Sequence, residues 1–134
     1  RIADYICMDG TVPTGQLPFV LKGTAEIVAR YGLRVANVFH AGDGNMHPLI
    51  LYNCNDPVEQ AKAEKAGEDI LKLCVDAGGC LTGEHGVGIE KRDLMLHQFS
   101  QADLDQQMRV RAAFDPAWRL NPAKVFPLEG RIAA

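Results

Sequence analysis

Two extended runs separated by a short loop constrain this chain more than any other feature. Residues 33–40 (LRVANVFH) and 47–52 (HPLILY) read as strands, and the six-residue loop between them (AGDGNM) is rich in Gly, Asp and Asn. So short a connection leaves only antiparallel pairing, because parallel strands need a crossover of a dozen or more residues. Helical patterns flank this hairpin. Before it, Leu17, Val20, Leu21, Thr24, Ile27, Val28 and Tyr31 trace one apolar stripe, and Gly32 offers the positive φ that ends such a helix. After it, Asp56 can cap a helix with Pro57 at its first position and Glu59 in capping-box register. Ala63, Ala66, Ile70, Leu73, Cys74 and Ala77 form its buried stripe, and Gly78-Gly79 stops it. A strand over residues 2–8, closed by an Asp9-Gly10 turn, completes the order βαββα. Antiparallel strands with both helices on one face make a two-layer α+β body over residues 1–79.

The pattern changes after Cys80. A short extended piece (CLT) enters Gly83-Glu84-His85-Gly86-Val87-Gly88, and a helix is expected over 89–99. Ser100 with Asp103 opens another helix, which ends near Phe114 at Asp115-Pro116. The tail FDPAWRLNPAKVFP has three prolines and no helical period, which predicts an extended run over a surface. Residues 80–134 thus read as a helical, then extended, arm.

Composition narrows the function. With 47% hydrophobic and 23% charged residues, the 134-residue chain can bury a core. Its 14 basic and 17 acidic residues give a net charge of −3 and no basic patch, which argues against nucleic acid as a partner. No apolar run nears the roughly 18 residues of a membrane span. No charged-then-apolar leader opens the chain, which favours the cytoplasm. A chain that starts at Arg1 and almost at once enters a strand reads as a piece of something longer. Cys7, Cys54, Cys74 and Cys80 form no C-x-x-C pair; reduced thiols are favoured over two disulfides.

Two constellations carry chemistry. His40 and His47 bracket the hairpin loop, and directly opposite residues of an antiparallel pair have Cβ atoms about 4.5–5.5 Å apart. Two imidazoles so placed can share a divalent cation about 2.0–2.1 Å from each nitrogen. A polar hairpin with two solvated histidines is the alternative. Gly83-Glu84-His85-Gly86 sets a carboxylate beside an imidazole: Glu84 is a candidate third ligand, and His85, pointing the other way, a candidate to move protons. A helix entry with both side chains exposed is the alternative here. There is no H-E-x-x-H helix and no obvious nucleophile, which weakens a metal-dependent hydrolase. Trp118, the only tryptophan, suits an anchor for the arm.

These motifs also carry a likeness. DYICMDGTVP, VANVFHAGDGNMHPLI, GGCLTGEHGVGIEKRDLM and AAFDPAWRLNPAKVFP, in this order, resemble the C-terminal part of the FAD-linked 2-hydroxy-acid oxidases over essentially the whole chain. The resemblance implies a ferredoxin-like (α/β-plait) βαββα unit, the second half of a cap domain, followed by a small arm returning toward the flavin. It implies FAD held mainly by a separate N-terminal domain, whose glycine-rich pyrophosphate segment this sequence does not show. His40, His47 and Glu84 match residues that hold a divalent metal, Zn or Mn, in metal-containing relatives. His85 matches the proton acceptor as hydride leaves for the flavin, and Asn121 a residue that approaches the flavin from the arm. Ala123 stands where a glycine is frequent. The implied activity is oxidation of glycolate, or a D-lactate-like 2-hydroxy acid, to the 2-oxo acid. The implied partners are the FAD-binding domain and electron-accepting subunits at the inner face of the membrane. A metal or small-molecule binding module without redox activity is the alternative expectation.

Overall fold

In the computed structural model, which describes residues 4–127, the chain divides into two compact units between His85 and Gly86. The sequence set that boundary after residue 79, but Thr11 exchanges backbone hydrogen bonds with Cys80 (3.2 and 2.8 Å), which joins the segment after α2 to the first unit.

The first unit runs β1 (Asp4–Cys7), β2 (Gly10–Thr11), α1 (Leu17–Arg30), β3 (Arg34–His40), β4 (Asn45–Tyr52) and α2 (Pro57–Asp76). The fold is α+β, with an antiparallel sheet centred on β4: β1 and β2 lie along one edge and β3 along the other. The strand expected over residues 2–8 is β1; its first two positions lie outside the described residues. The expected Asp9-Gly10 turn is not a reversal. Cys7 faces Leu49 and Gly10 faces Met46, so β1 and β2 keep one register along β4. Pro48 explains the break between them: Met8 N–H donates to Pro48 O at 3.1 Å, and proline has no N–H to return.

One face of the sheet is the core. Gly67 lies against Met8, and Gly10 against Cys74 and Leu71, so this face looks onto α2. Met46 and Ile50 share it and are fully buried, with Val20, Ile27 and Val28 of α1 and Ala63, Ala66, Ile70 and Leu71 of α2 also in the core. Each large aliphatic side chain so buried contributes about 1.5–3 kcal/mol. The helix ends follow the sequence. Asp56 accepts from the N–H groups of Val58 (2.9 Å) and Glu59 (3.3 Å), and Gly32 and Gly78 both take positive φ. Glu59 does not close a capping box; its carboxylate accepts from Asn53 N–H at 2.8 Å instead.

Because strand side chains alternate, Cys7, Asp9, Thr11, Val38, His40, Asn45 and His47 belong to the opposite, helix-free face.

The second unit contains α3 (Met95–Gln98), entered through a 3₁₀ turn, and α4 (Gln101–Phe114). The helix expected over 89–99 is shorter: a 3₁₀ turn over Arg92–Leu94 leads into α3, with Leu94 and Met95 as buried anchors. Ser100 and Asp103 form the expected capping box. The tail is coiled, not extended. Asp115 accepts from Arg119 N–H (2.9 Å) and Leu120 N–H (2.8 Å), and Arg111 stacks on Trp118 at 4.3 Å while donating to Leu120 O. These bonds turn the backbone at residues 115–120, and φ is positive at Trp118, Asn121, Ala123 and Val125. Ala123 therefore occupies a conformation that favours glycine.

All four cysteines are thiols. Among the described residues, no helix is long and apolar enough to cross a membrane.

Candidate active site

The histidines at the hairpin mouth are diagonal neighbours, not the opposed pair that a six-residue loop predicts. His40 faces Asn45 and Val38 faces His47, because the strands close over residues 41–44 alone. Gly44 permits this tight turn: it has φ of +72°, and a side chain there would strike Val12 O. The two-residue period keeps both imidazoles on the helix-free face, with ring centroids 5.4 Å apart.

Glu84 joins them. Its Oε1 lies 3.0 Å from His47 Nε2 and 3.5 Å from His40 Nε2. Nitrogen and oxygen ligands about 2.0–2.1 Å from a tetrahedral ion stand about 3.3 Å from each other. The two observed separations bracket that value for each His–Glu84 pair, and all three side chains are ligand types, but the sets of donor atoms within 4.8 Å of one another take in His47 and Glu84 and leave out His40. Their exposure also suits the task. The His47 side chain is only 10% exposed and fixed in the sheet, whereas those of His40 and Glu84 are 58% and 55% exposed and open to a ligand.

His85 is not turned away from this group, as its neighbour position in the sequence suggested. Its ring lies against that of His47, tilted by 34° with centroids 5.0 Å apart. One ligand-type atom from each of Asp9, His47, Glu84 and His85 lies within 4.8 Å of the others.

Asp9 is the residue that sequence reasoning missed. It is fully buried, and its carboxylate gathers the loop that carries Glu84 and His85. Asp9 Oδ2 accepts from the Thr82 hydroxyl (2.6 Å) and from the N–H groups of Gly83 (3.0 Å) and His85 (2.9 Å), while Glu84 N–H reaches both oxygens at 3.2 Å. A carboxylate so occupied acts as an organiser of the loop, and its charge suits a nest of backbone donors. Gly83 completes the fit, since any side chain there would collide with Asn45 Oδ1 and Thr11 Oγ1. The only sequence signal was an Asp-Gly pair, which reads as a turn; the continuous register along β4 is what brings Asp9 under the loop. Cys7 was missed for the same reason. Its Sγ lies 3.8 Å from His47 Nδ1.

Asn121 lies in the second unit. Its Oδ1 accepts from Lys124 Nζ at 3.2 Å, and it lines a cavity of about 450 Å³ with Arg111, Phe114 and Leu120.

Comparison with known proteins agrees with the motifs. Residues 3–125 match the family described as FAD linked oxidases, C-terminal domain. The chain is 55% identical to glycolate oxidase subunit GlcD of Escherichia coli (strain K12), over 97% of this chain and 26% of that protein. It is 34% identical to glycolate oxidase subunit GlcD of Bacillus subtilis (strain 168), over 94% of this chain and 27% of that one. It is 40% identical to the mitochondrial D-lactate dehydrogenase [cytochrome] of Kluyveromyces lactis, over 90% and 20%. The chain thus spans about a quarter of the length of the curated relatives it matches.

Proposed function

Because the chain belongs to the FAD-linked oxidases through their C-terminal domain, we propose that it is the substrate-covering part of an FAD-dependent enzyme. The enzyme oxidises a small 2-hydroxy acid, glycolate or a D-lactate-like acid, to the 2-oxo acid. The observation that carries the proposal is that Glu84 Oε1 lies 3.0 Å from His47 Nε2 and 3.5 Å from His40 Nε2, with the His85 ring alongside. The first unit serves as half of a cap over the substrate, and the second as an arm toward a separate FAD-binding domain.

His40 Nε2, His47 Nε2 and Glu84 Oε1 would hold a divalent ion, Zn or Mn. When bound, the ion would supply positive charge for the substrate carboxylate and hydroxyl, and FAD would supply the hydride acceptor. The rest of the work falls to side chains. His85 accepts the hydroxyl proton as hydride leaves the α-carbon. Asp9 does not touch the substrate; it holds Glu84 and His85 at fixed positions through the loop backbone. His47 anchors the site in the sheet, and the exposed edges of His40 and Glu84 leave room for the acid. Asn121 contacts the flavin in the whole protein. Electrons then pass to partner subunits, with the protein in the cytoplasm or held through those subunits at the inner face of the membrane.

The test uses the whole protein. Glycolate or D-lactate should bleach the flavin absorbance anaerobically, and His85→Ala should slow that step about 10²-fold or more while sparing metal content. A variant with normal rates would take the proton-transfer role from His85. A wild-type flavin that no 2-hydroxy acid reduces would end the proposal.

A further inference from the structure

We propose a second cation site on the other side of His47, formed by Cys7, His47 and His85 and selective for thiophilic cations of the Zn²⁺ and Cd²⁺ class. His47 presents its two nitrogens to different neighbours. Nε2 faces Glu84 Oε1 at 3.0 Å, and Nδ1 faces Cys7 Sγ at 3.8 Å. His85 stacks beside the same ring, and one donor atom each from Cys7, His47 and His85 lies within 4.8 Å of the other two.

The spacing suits a metal. A thiolate about 2.3 Å and an imidazole nitrogen about 2.0–2.1 Å from a tetrahedral ion stand about 3.6 Å apart. The Cys7–His47 pair is within a few tenths of an ångström of that separation, and the exposed His85 closes the set by side-chain rotation. Cys7 is held there by pairing with β4, which puts its side chain on the helix-free face. One sulfur and two imidazoles form a soft set that Mn²⁺ and Mg²⁺, which prefer oxygen ligands, do not favour. Binding converts the Cys7 thiol to thiolate and releases its proton to solvent. The site forms whether or not the oxidase proposal holds. Its consequence rests on that proposal: a neutral imidazole offers one ring lone pair, so a cation here takes both His47 and His85 away from the first site and inhibits turnover.

The experiment titrates Cd²⁺ into this chain carrying Cys54→Ser and Cys80→Ser, which remove the two exposed thiols. Thiolate-to-cadmium charge-transfer absorption is the readout. We expect saturation near one equivalent, loss of the band in Cys7→Ser, and no change in His40→Ala. His85→Ala should weaken binding about tenfold or more, as even loss of an outer-shell partner does. Mn²⁺ binding measured in parallel should survive Cys7→Ser, so the two sites can fail separately. No band in the parent, a band that persists in Cys7→Ser, or one lost in His40→Ala would overturn the site.

Discussion

The backbone N–H of His85 donates to the carboxylate of Asp9 at 2.9 Å, across 76 positions of sequence. This bond and its neighbours fix the loop after α2 to the gap between β1 and β2, where Pro48 has interrupted the ladder. A local defect in the sheet thus becomes the seat of the candidate active site.

Asp9→Ala should loosen that seat. It strips the carboxylate from the Thr82 hydroxyl and from the N–H groups of Glu84 and His85, while Gly83 N–H keeps the backbone oxygen of residue 9 at 3.2 Å. A donor left unmet costs about 1–3 kcal/mol when buried and less where water can enter, as it can at the exposed residues 83–85. We expect urea denaturation to show a loss of about 1 kcal/mol, and hydrogen exchange to accelerate at residues 83–85. Unchanged exchange there would contradict the organising role.

Thr24 offers the opposite case. It is fully buried on α1, and its hydroxyl has no hydrogen-bond partner among the described residues. Thr24→Val keeps the shape and removes the orphaned group, so it should stabilise the chain by about 1 kcal/mol. A destabilised variant in the same denaturation experiment would show that the hydroxyl is satisfied.

The second unit should be sensitive to acid. Hydrogen bonds from the N–H of Arg119, then that of Leu120, hold the Asp115 carboxyl below its usual range against the opposing effect of burial, with the Arg111 and Arg119 charges adding less. The Ser100 hydroxyl and N–H do the same for Asp103. Each group binds its proton less readily in the folded state. Its contribution is therefore fully present above the ordinary carboxylate pKa of about 3.9 and is lost as pH falls through the lower folded value. Trp118 lies in this turn and reports on it. We expect its fluorescence to change in that acid window, and Asp115→Asn to show the acid-form signal already at neutral pH. A variant that titrates like the wild type would rule out Asp115 as the cause.

Much of this was legible in the sequence because it is local. The caps at Asp56 and Ser100, the stop at Gly32 and the apolar stripes of α1 and α2 depend on neighbours within a turn or two. The two site motifs also stood out, because His, Glu and Gly in close succession serve no core. What was hidden depends on register and on side chain to backbone bonds. His40 and His47 are diagonal because the hairpin closes over residues 41–44, a difference that composition does not encode. Asp9 and Cys7 enter the site only because β1 and β2 share one register on β4. The tail coils because Asp115 and Arg111 find backbone partners that no periodicity announces.

The most direct measurement is the amount of Mn²⁺ retained per chain after equilibrium dialysis, in the wild type, His40→Ala and Glu84→Ala. We expect about one ion per chain in the wild type and loss of it in both variants. A wild type that retains none, or variants that both keep it, would contradict a divalent site built from His40, His47 and Glu84.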